Sequence, residues 1–230
     1  EPSSMPEADL YVIGNALSRG NKCVEEILNK NFPYKSGPEM LGDIIKDRFV
    51  IAVSGTHGKT TTSFMIAKIF QSLGMDIGYL IGGISPDFSF SAKIGSDEIF
   101  VIEADEYDSA FFDKRSKFIH YSPNILLINN IEFDHADIFN DLDEIKKQFH
   151  HLLKIIPSSG KIILFNHDKN ALDVINKGCW ADIIEINGDE SIASFDSSSS
   201  TIKFDGNSVN INDLPFYGSH NNLNAAAAII

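Results

Sequence analysis

Arg48-Phe49-Val50-Ile51-Ala52-Val53-Ser54-Gly55-Thr56-His57-Gly58-Lys59-Thr60-Thr61-Thr62 begins as a short apolar run of strand type and ends in a glycine-punctuated loop carrying a lysine. The loop opens onto Phe64, Ala67, Phe70 and Leu73, which recur at helical spacing. Strand, glycine loop and helix in that order read as a phosphate-binding loop. Glycines let successive backbone N–H groups converge on an anion, and the helix N-terminus adds its dipole. The lysine bridges terminal phosphates, and the hydroxyl after it can ligate Mg²⁺. The general pattern G-x-x-x-x-G-K-[ST] asks for glycine where this chain has Val53, so the loop belongs to a variant class. Because a bare G-K-T is common in loops, the flanking strand and helix carry the reading. Gly55, Thr56, His57, Gly58, Lys59, Thr60 and Thr61 are the expected contacts of a nucleoside triphosphate, ATP or GTP.

At 230 residues and 43% hydrophobic content the chain can build a real core, enough for one large domain or somewhat more. A formal net charge of −13 argues against a nucleic-acid partner, since no long run of Lys or Arg is present to meet a phosphate backbone. Cys23 and Cys179 lie far apart without a C-x-x-C partner, which indicates neither a zinc site nor a disulfide framework. No apolar stretch approaches the ~20 residues of a membrane span, and no signal-peptide pattern opens the chain. The expectation is a soluble cytoplasmic protein.

Upstream of the loop, residues 8–13 read as a short strand, 21–31 as a helix with Val24, Ile27 and Leu28 inward, and 38–47 as a helix begun by proline. A chain that starts on Glu1-Pro2 inside an alternating pattern reads as a fragment. Downstream, residues 78–83 read as a strand ending in a turn, with Gly82 and Gly83 as turn residues rather than ligand contacts. Residues 98–102 form an apolar strand running into Glu103, Asp105, Glu106 and Asp108. An acid at the carboxyl end of a parallel strand beside a phosphate loop is where Mg²⁺ is usually held, and Glu103 is the first candidate; Glu106 and Asp108 suit solvated acids better.

Residues 125–130 repeat the arrangement, running into Asn129, Asn130, Glu132, Asp134 and His135. His135 is either a satisfied structural residue or a second metal ligand. Lys114, Arg115 and Lys117 are either a solvated face or a contact for an anionic substrate. Residues 142–156 read as an amphipathic helix in which His150 and His151 pack or face solvent. Then come a strand at 161–165, a helix at 168–177 capped by Asp168, and a strand at 183–186. Residues 191–213 change to serine-rich short alternation, an antiparallel excursion, and Ser219 reads as the cap of a last helix that the chain end interrupts. The alternation calls for an α/β fold with a mostly parallel sheet flanked by helices.

Four motifs in this order resemble the Mur ligases, the ATP-dependent amide-forming enzymes of peptidoglycan synthesis. They are Ser54 to Thr62, Glu103-Ala104-Asp105-Glu106, Asn130-Ile131-Glu132-Phe133-Asp134-His135, and Gly218-Ser219-His220-Asn221-Asn222-Leu223-Asn224-Ala225-Ala226-Ala227. The variant loop with Val53 is what that family has. His57 and the Glu-Phe-Asp-His form resemble the branch that acts on the lactyl carboxylate of UDP-N-acetylmuramate. Residues 103–121 and 133–151 are closer to the members that attach a whole murein tripeptide, in peptidoglycan recycling, than to those that add L-alanine. A ligase of the alanine-adding, folate or cyanophycin type, or a nucleotide-binding module without turnover, are the alternatives.

The resemblance implies two parts. Residues 1–48 would be the latter part of a Rossmann-like domain holding the UDP-sugar, and 49–230 the central ATP-binding domain. A C-terminal ligase domain would lie beyond, so the isolated fragment is expected to bind nucleotide weakly and turn over negligibly. It further implies that the sugar carboxylate attacks the γ-phosphate of ATP to give an acyl phosphate, from which the tripeptide amine displaces phosphate. Lys59 would hold the β- and γ-phosphates, Thr60 and Glu103 one Mg²⁺, and His135 a second. His220, Asn221 and Asn224 would lie on the adenine side, with helix capping as the alternative for Asn221.

Overall fold

In the computed structural model, residues 2–83, 85, 87–134, 139–189, 191–212 and 218–230 are described. In chain order the elements are β1 (Tyr11–Ile13), α1 (Lys22–Asn29), β2 (Tyr34–Ser36), α2 (Gly37–Ile45), β3 (Phe49–Ser54), α3 (Lys59–Ser72), β4 (Gly78–Leu80), β5 (Ala92–Lys93) and β6 (Ile99–Glu103). Then follow β7 (Asp108–Ala110), β8 (Asp113–Ser116), β9 (Ile125–Ile128), α4 (Leu142–Leu153), β10 (Lys161–Phe165), α5 (Lys169–Asn176) and β11 (Asp182–Ile186). The chain closes with β12 (Ala193–Asp196), β13 (Thr201–Phe204), β14 (Asn207–Asn210) and α6 (Ser219–Ile229).

The elements fall into two units, residues 1–47 with 105–122, and residues 48–104 with 123–230. The second unit is built on a sheet of order β11-β10-β9-β3-β6-β4-β5, parallel throughout except for β5, which runs antiparallel on the β4 edge. β3 is buried from Val50 to Ser54, as a strand covered on both faces must be, and this explains its unbroken apolar sequence. Its core gathers Ile51, Val53, Ile66, Ile81, Val101, Leu127 and Ile163 with the alanine face of α6. Each such side chain fully buried is worth about 1.5–3 kcal/mol against exposure. Because the strands are parallel, their carboxyl ends lie along one edge, where the residues after β3, β4, β6 and β9 collect. The serine-rich excursion is the antiparallel sheet β12-β13-β14.

Caps explain where the helices begin. Asn21, Ser36, Asp141 and Asp168 accept from the first turns of α1, α2, α4 and α5. α6 differs from the sequence expectation: its cap is Gly218 at φ +97 without a side-chain bond, and Ser219 is already helical. Glu103, expected just beyond its strand, is the last residue of β6, since ladder pairing to Val53 is made by the backbone whatever the side chain.

In the first unit, β1 and β2 pair in parallel, and Ile13, Val24 and Ile27 form a small core with Tyr34, Phe111 and Phe112 packed on it. Those two phenylalanines explain why residues 105–122, placed with the central domain from sequence, cluster here instead. They sit at the turn of a β7–β8 hairpin whose basic residues are met by its own acids. Lys114 pairs with Asp108 at 2.7 Å, Arg115 with Asp113 at 2.8 Å, and Lys117 with Asp105 at 3.3 Å. Arg115 holds the Asp113 carboxyl down at about 2 through its side-chain hydrogen bonds, against the cost of partial burial. His120 lies 3.0 Å from both Asp113 Oδ2 and Ser109 Oγ, and its burial lowers its pKa. Glu106, read as a solvated acid, is only 3% exposed.

Candidate active site

The loop after β3 is stitched to the segment after β9. Gly55, at φ +126, runs so close to it that a Cβ would stand 2.9 Å from both the backbone N and O of Asn130. Thr56 N–H donates to the Asn130 carbonyl at 2.9 Å and His57 N–H to Asn130 Oδ1 at 2.8 Å. The Thr56 hydroxyl accepts from Glu132 N–H at 2.8 Å and donates to the Glu132 carbonyl at 3.1 Å. The β9 segment is in turn fixed by α5: Ile131 N–H donates to Asp168 Oδ2 at 2.7 Å, while Asp168 Oδ1 caps the helix.

Gly58, left-handed at φ +81, is the N-cap of α3 and supplies no capping side chain. A helix start of that kind presents its first amides, and the positive end of its dipole, to an anion. Lys59 is 9% exposed, and its ammonium donates to the Gly55 carbonyl at 2.7 Å and the Thr56 carbonyl at 3.5 Å. The cation is therefore held within the loop itself. His57 is exposed, and Thr61 is half-buried in the first turn.

The Thr60 hydroxyl donates to Glu103 Oε1 at 2.7 Å, and the Gly82 N–H donates to Glu103 Oε2 at 2.7 Å. A carboxylate and a hydroxyl meeting at the end of β6 are the hard oxygen donors that suit Mg²⁺, which keeps one or two carboxylates and draws its remaining ligands from phosphate and water. Glu103 and Thr60 thus fit that cation. His135 lies outside the described residues.

Two features were not legible beforehand. Asn129, 7% exposed, donates from Nδ2 to the His57 carbonyl at 3.2 Å and to Thr62 Oγ1 at 3.0 Å, with Asn224 Oδ1 at 3.5 Å. A Cβ on Gly58 would stand 2.7 Å from both Asn129 Nδ2 and Asn224 Oδ1, so the loop turn rests on this amide pair. Asn224, expected on the adenine side, has its side chain here and donates to Asn221 Oδ1 at 3.4 Å. His220 is exposed at the start of α6, against Gly218. The structure therefore brings together the phosphate loop, Glu103 and Asn224, with Asn221 one step behind.

Residues 53–230 match the Mur ligase middle domain. The chain belongs to the Mur ligase family. It is 48% identical over 230 residues to the UDP-N-acetylmuramate--L-alanyl-gamma-D-glutamyl-meso-2,6-diaminoheptandioate ligase of Escherichia coli (strain K12), covering 97% of this chain and 50% of that one. A UDP-N-acetylmuramate--L-alanine ligase of Clostridium botulinum (strain Langeland) is 33% identical over 175 residues, 76% of this chain and 37% of that one. The crystal structure of the UDP-N-acetylmuramate:L-alanyl-gamma-D-glutamyl-meso-diaminopimelate ligase from Neisseria meningitides superposes with a TM-score of 0.87 at 41% identity, over 96% of this chain and 72% of that one. The chain spans about half the length of the Escherichia coli relative. The mostly parallel sheet and its variant loop are those of a Mur ligase middle domain.

Proposed function

We propose that the protein is an ATP-dependent ligase that joins UDP-N-acetylmuramate to the tripeptide L-Ala-γ-D-Glu-meso-diaminopimelate, acting in the cytoplasm in peptidoglycan recycling. The observation that carries the ATP site is the junction of Thr60, first-turn residue of a glycine-capped helix, with Glu103 at 2.7 Å beside the buried Lys59. The tripeptide is favoured by 48% identity to a relative of that name, against 33% to an alanine-adding one.

In this reading Gly55 to Thr61 receive the phosphates, and Lys59 turns its ammonium from the loop carbonyls to the β- and γ-phosphate oxygens. Thr60 and Glu103 hold Mg²⁺, which when bound neutralises charge developing on the phosphates. His135 belongs to the same proposal as a second metal ligand, on sequence alone. Asn221 and Asn224 hold the start of α6 against the loop, with His220 toward the nucleoside. The lactyl carboxylate attacks the γ-phosphorus as the bond to ADP breaks, and the tripeptide amine then displaces phosphate from the acyl phosphate. Positioning and charge neutralisation are what the side chains contribute. Residues 1–47 with 105–122 belong to the part that holds the UDP-sugar, and 48–104 with 123–230 to the part that holds ATP.

Calorimetry with ATP and ADP in Mg²⁺, beside phosphate release with UDP-N-acetylmuramate and tripeptide, tests this. The expectation is that nucleotide binding depends on the γ-phosphate, and that any phosphate release, however slow, requires tripeptide. Release supported by L-alanine and not by tripeptide overturns the substrate; absence of any nucleotide binding overturns the site.

A further inference from the structure

Gly82 and Gly83 follow β4 and read locally as a turn. β4 lies parallel to β6 with Leu80 opposite Ile102, which carries the chain beyond Leu80 past the end of β6, where Glu103 stands. The approach is fixed from behind: Ile81 is fully buried, and its N–H donates to the Ser91 carbonyl at 2.9 Å. Each glycine then meets one member of the Thr60–Glu103 pair. A Cβ on Gly82 would find, among the described residues, only the Glu103 carboxyl, with Oε2 at 3.2 Å and Cδ at 3.8 Å. A Cβ on Gly83, at φ +131, would find only Thr60 Cγ2, at 3.0 Å.

From this geometry we infer that Gly82 is a positioning residue for the cation site, its backbone N–H orienting the Glu103 carboxylate toward a divalent cation. The inference rests on the metal–nucleotide reading above. A carboxylate turns freely about its last bond unless both oxygens are held. Here Oε1 receives the Thr60 hydroxyl from α3 and Oε2 the Gly82 amide from the end of β4, at 2.7 Å each. The plane of the group is thus set before a cation arrives, as outer hydrogen bonds set the ligands of metal sites generally. Gly83 must stay free of a side chain so that the methyl of Thr60 can sit beside it.

Gly82→Ala is the test, because φ at position 82 is outside the left-handed region and alanine enters without backbone strain. Its methyl, 3.2 Å from Oε2, pushes the carboxylate by a few tenths of an ångström. Mg²⁺ and, separately, Mn²⁺ are titrated by calorimetry into wild type and variant with ATP present; nucleotide binding without metal and thermal melting are measured alongside. We expect apparent cation affinity to fall about tenfold, the lower end of what outer-shell changes cost at metal sites. Metal-free ATP binding and melting temperature stay as in the wild type. Unchanged cation affinity in the variant, with normal Mg²⁺-dependent binding in the wild type, overturns the inference and leaves the ATP site standing. Equal loss of metal-free binding together with a lowered melting temperature makes Gly82 merely structural and also overturns it. A wild type without Mg²⁺-dependent nucleotide binding overturns both this inference and the function beneath it.

Discussion

Gly58 and Gly74 share φ +81, one before α3 and one after it, and they differ only in what surrounds them. A Cβ at Gly58 would stand 2.7 Å from Asn129 Nδ2 and Asn224 Oδ1, whereas at Gly74 no described atom lies within 4 Å. Alanine at either position meets the left-handed penalty of about 1–2 kcal/mol. At Gly58 the methyl must also displace the amide of Asn129, whose bonds to the His57 carbonyl and Thr62 hydroxyl, at 3.2 and 3.0 Å, are worth about 1 kcal/mol each. Gly58→Ala is therefore expected to cost about 3–4 kcal/mol and Gly74→Ala about 1–2 kcal/mol. For a chain of this size that lowers the melting temperature by roughly 10 °C and roughly 4 °C respectively, at about 2–4 °C per kcal/mol. Only Gly58→Ala moves the loop amides proposed to receive phosphate, so ATP affinity is expected to fall at least about tenfold there, equivalent to about 1.4 kcal/mol, and to stay unchanged in Gly74→Ala. Thermal melts followed by circular dichroism, with calorimetric ATP titrations, measure both. Equal melting losses with equal ATP affinities would refute the claim that the loop turn rests on the Asn129–Asn224 pair.

Lys59→Ala is expected to weaken ATP binding by about 10- to 100-fold, the worth of a hydrogen bond to a charged group, and ADP binding by less. Calorimetry showing the same ATP-to-ADP ratio before and after would mean the ammonium does not reach the γ-phosphate. Glu103→Ala should raise the Mg²⁺ needed for nucleotide binding more than Glu106→Ala does, and the reverse order in metal titrations would put the cation on the wrong acid. Asp168→Ala removes the cap of α5 and the acceptor of Ile131 N–H, at a cost of about 2 kcal/mol; chemical denaturation measures it, and an unchanged midpoint would show that the segment after β9 is held by other means. His120 is neutral-favouring in the folded chain because burial lowers its pKa, outweighing the nearby Asp113 and Glu39 while Arg115 acts in the same direction. The unfolded chain then binds more protons, so this contribution is present above the ordinary imidazole pKa of about 6.5 and is lost as pH falls below it. Melts from pH 7.5 to 5.5 should show a decline that His120→Gln reduces, and an undiminished slope would exclude His120 as a cause.

β3, β6, β9 and β10 were legible because burial on both faces forces an unbroken apolar run, and a polar residue marks where each strand meets the edge. The phosphate loop was legible for a related reason: glycine and lysine spacing is a local property of backbone and charge. The β7–β8 hairpin was not, since Asp108 to Ser116 carries no apolar alternation and its order comes from ion pairs and from Phe111 and Phe112 packing on a core laid down by residues 13–27. The Thr60–Glu103, Gly82–Glu103 and Asn129–Asn224 contacts join residues 43, 21 and 95 positions apart, and no window of sequence contains any of those pairs. What sequence does contain is topology. Once the strands are taken as parallel, every residue at or just past the ends of β3, β4, β6 and β9 must lie on one edge, and Gly82 is such a residue as much as Glu103 is. Reading Gly82-Gly83 as turn residues alone left the site out, because a glycine at a shared strand edge is also where a neighbour's functional side chain can approach. The absence of a side chain at position 82 is then a property of the Glu103 carboxylate, and substitution there should be felt first in cation affinity and only afterwards in stability.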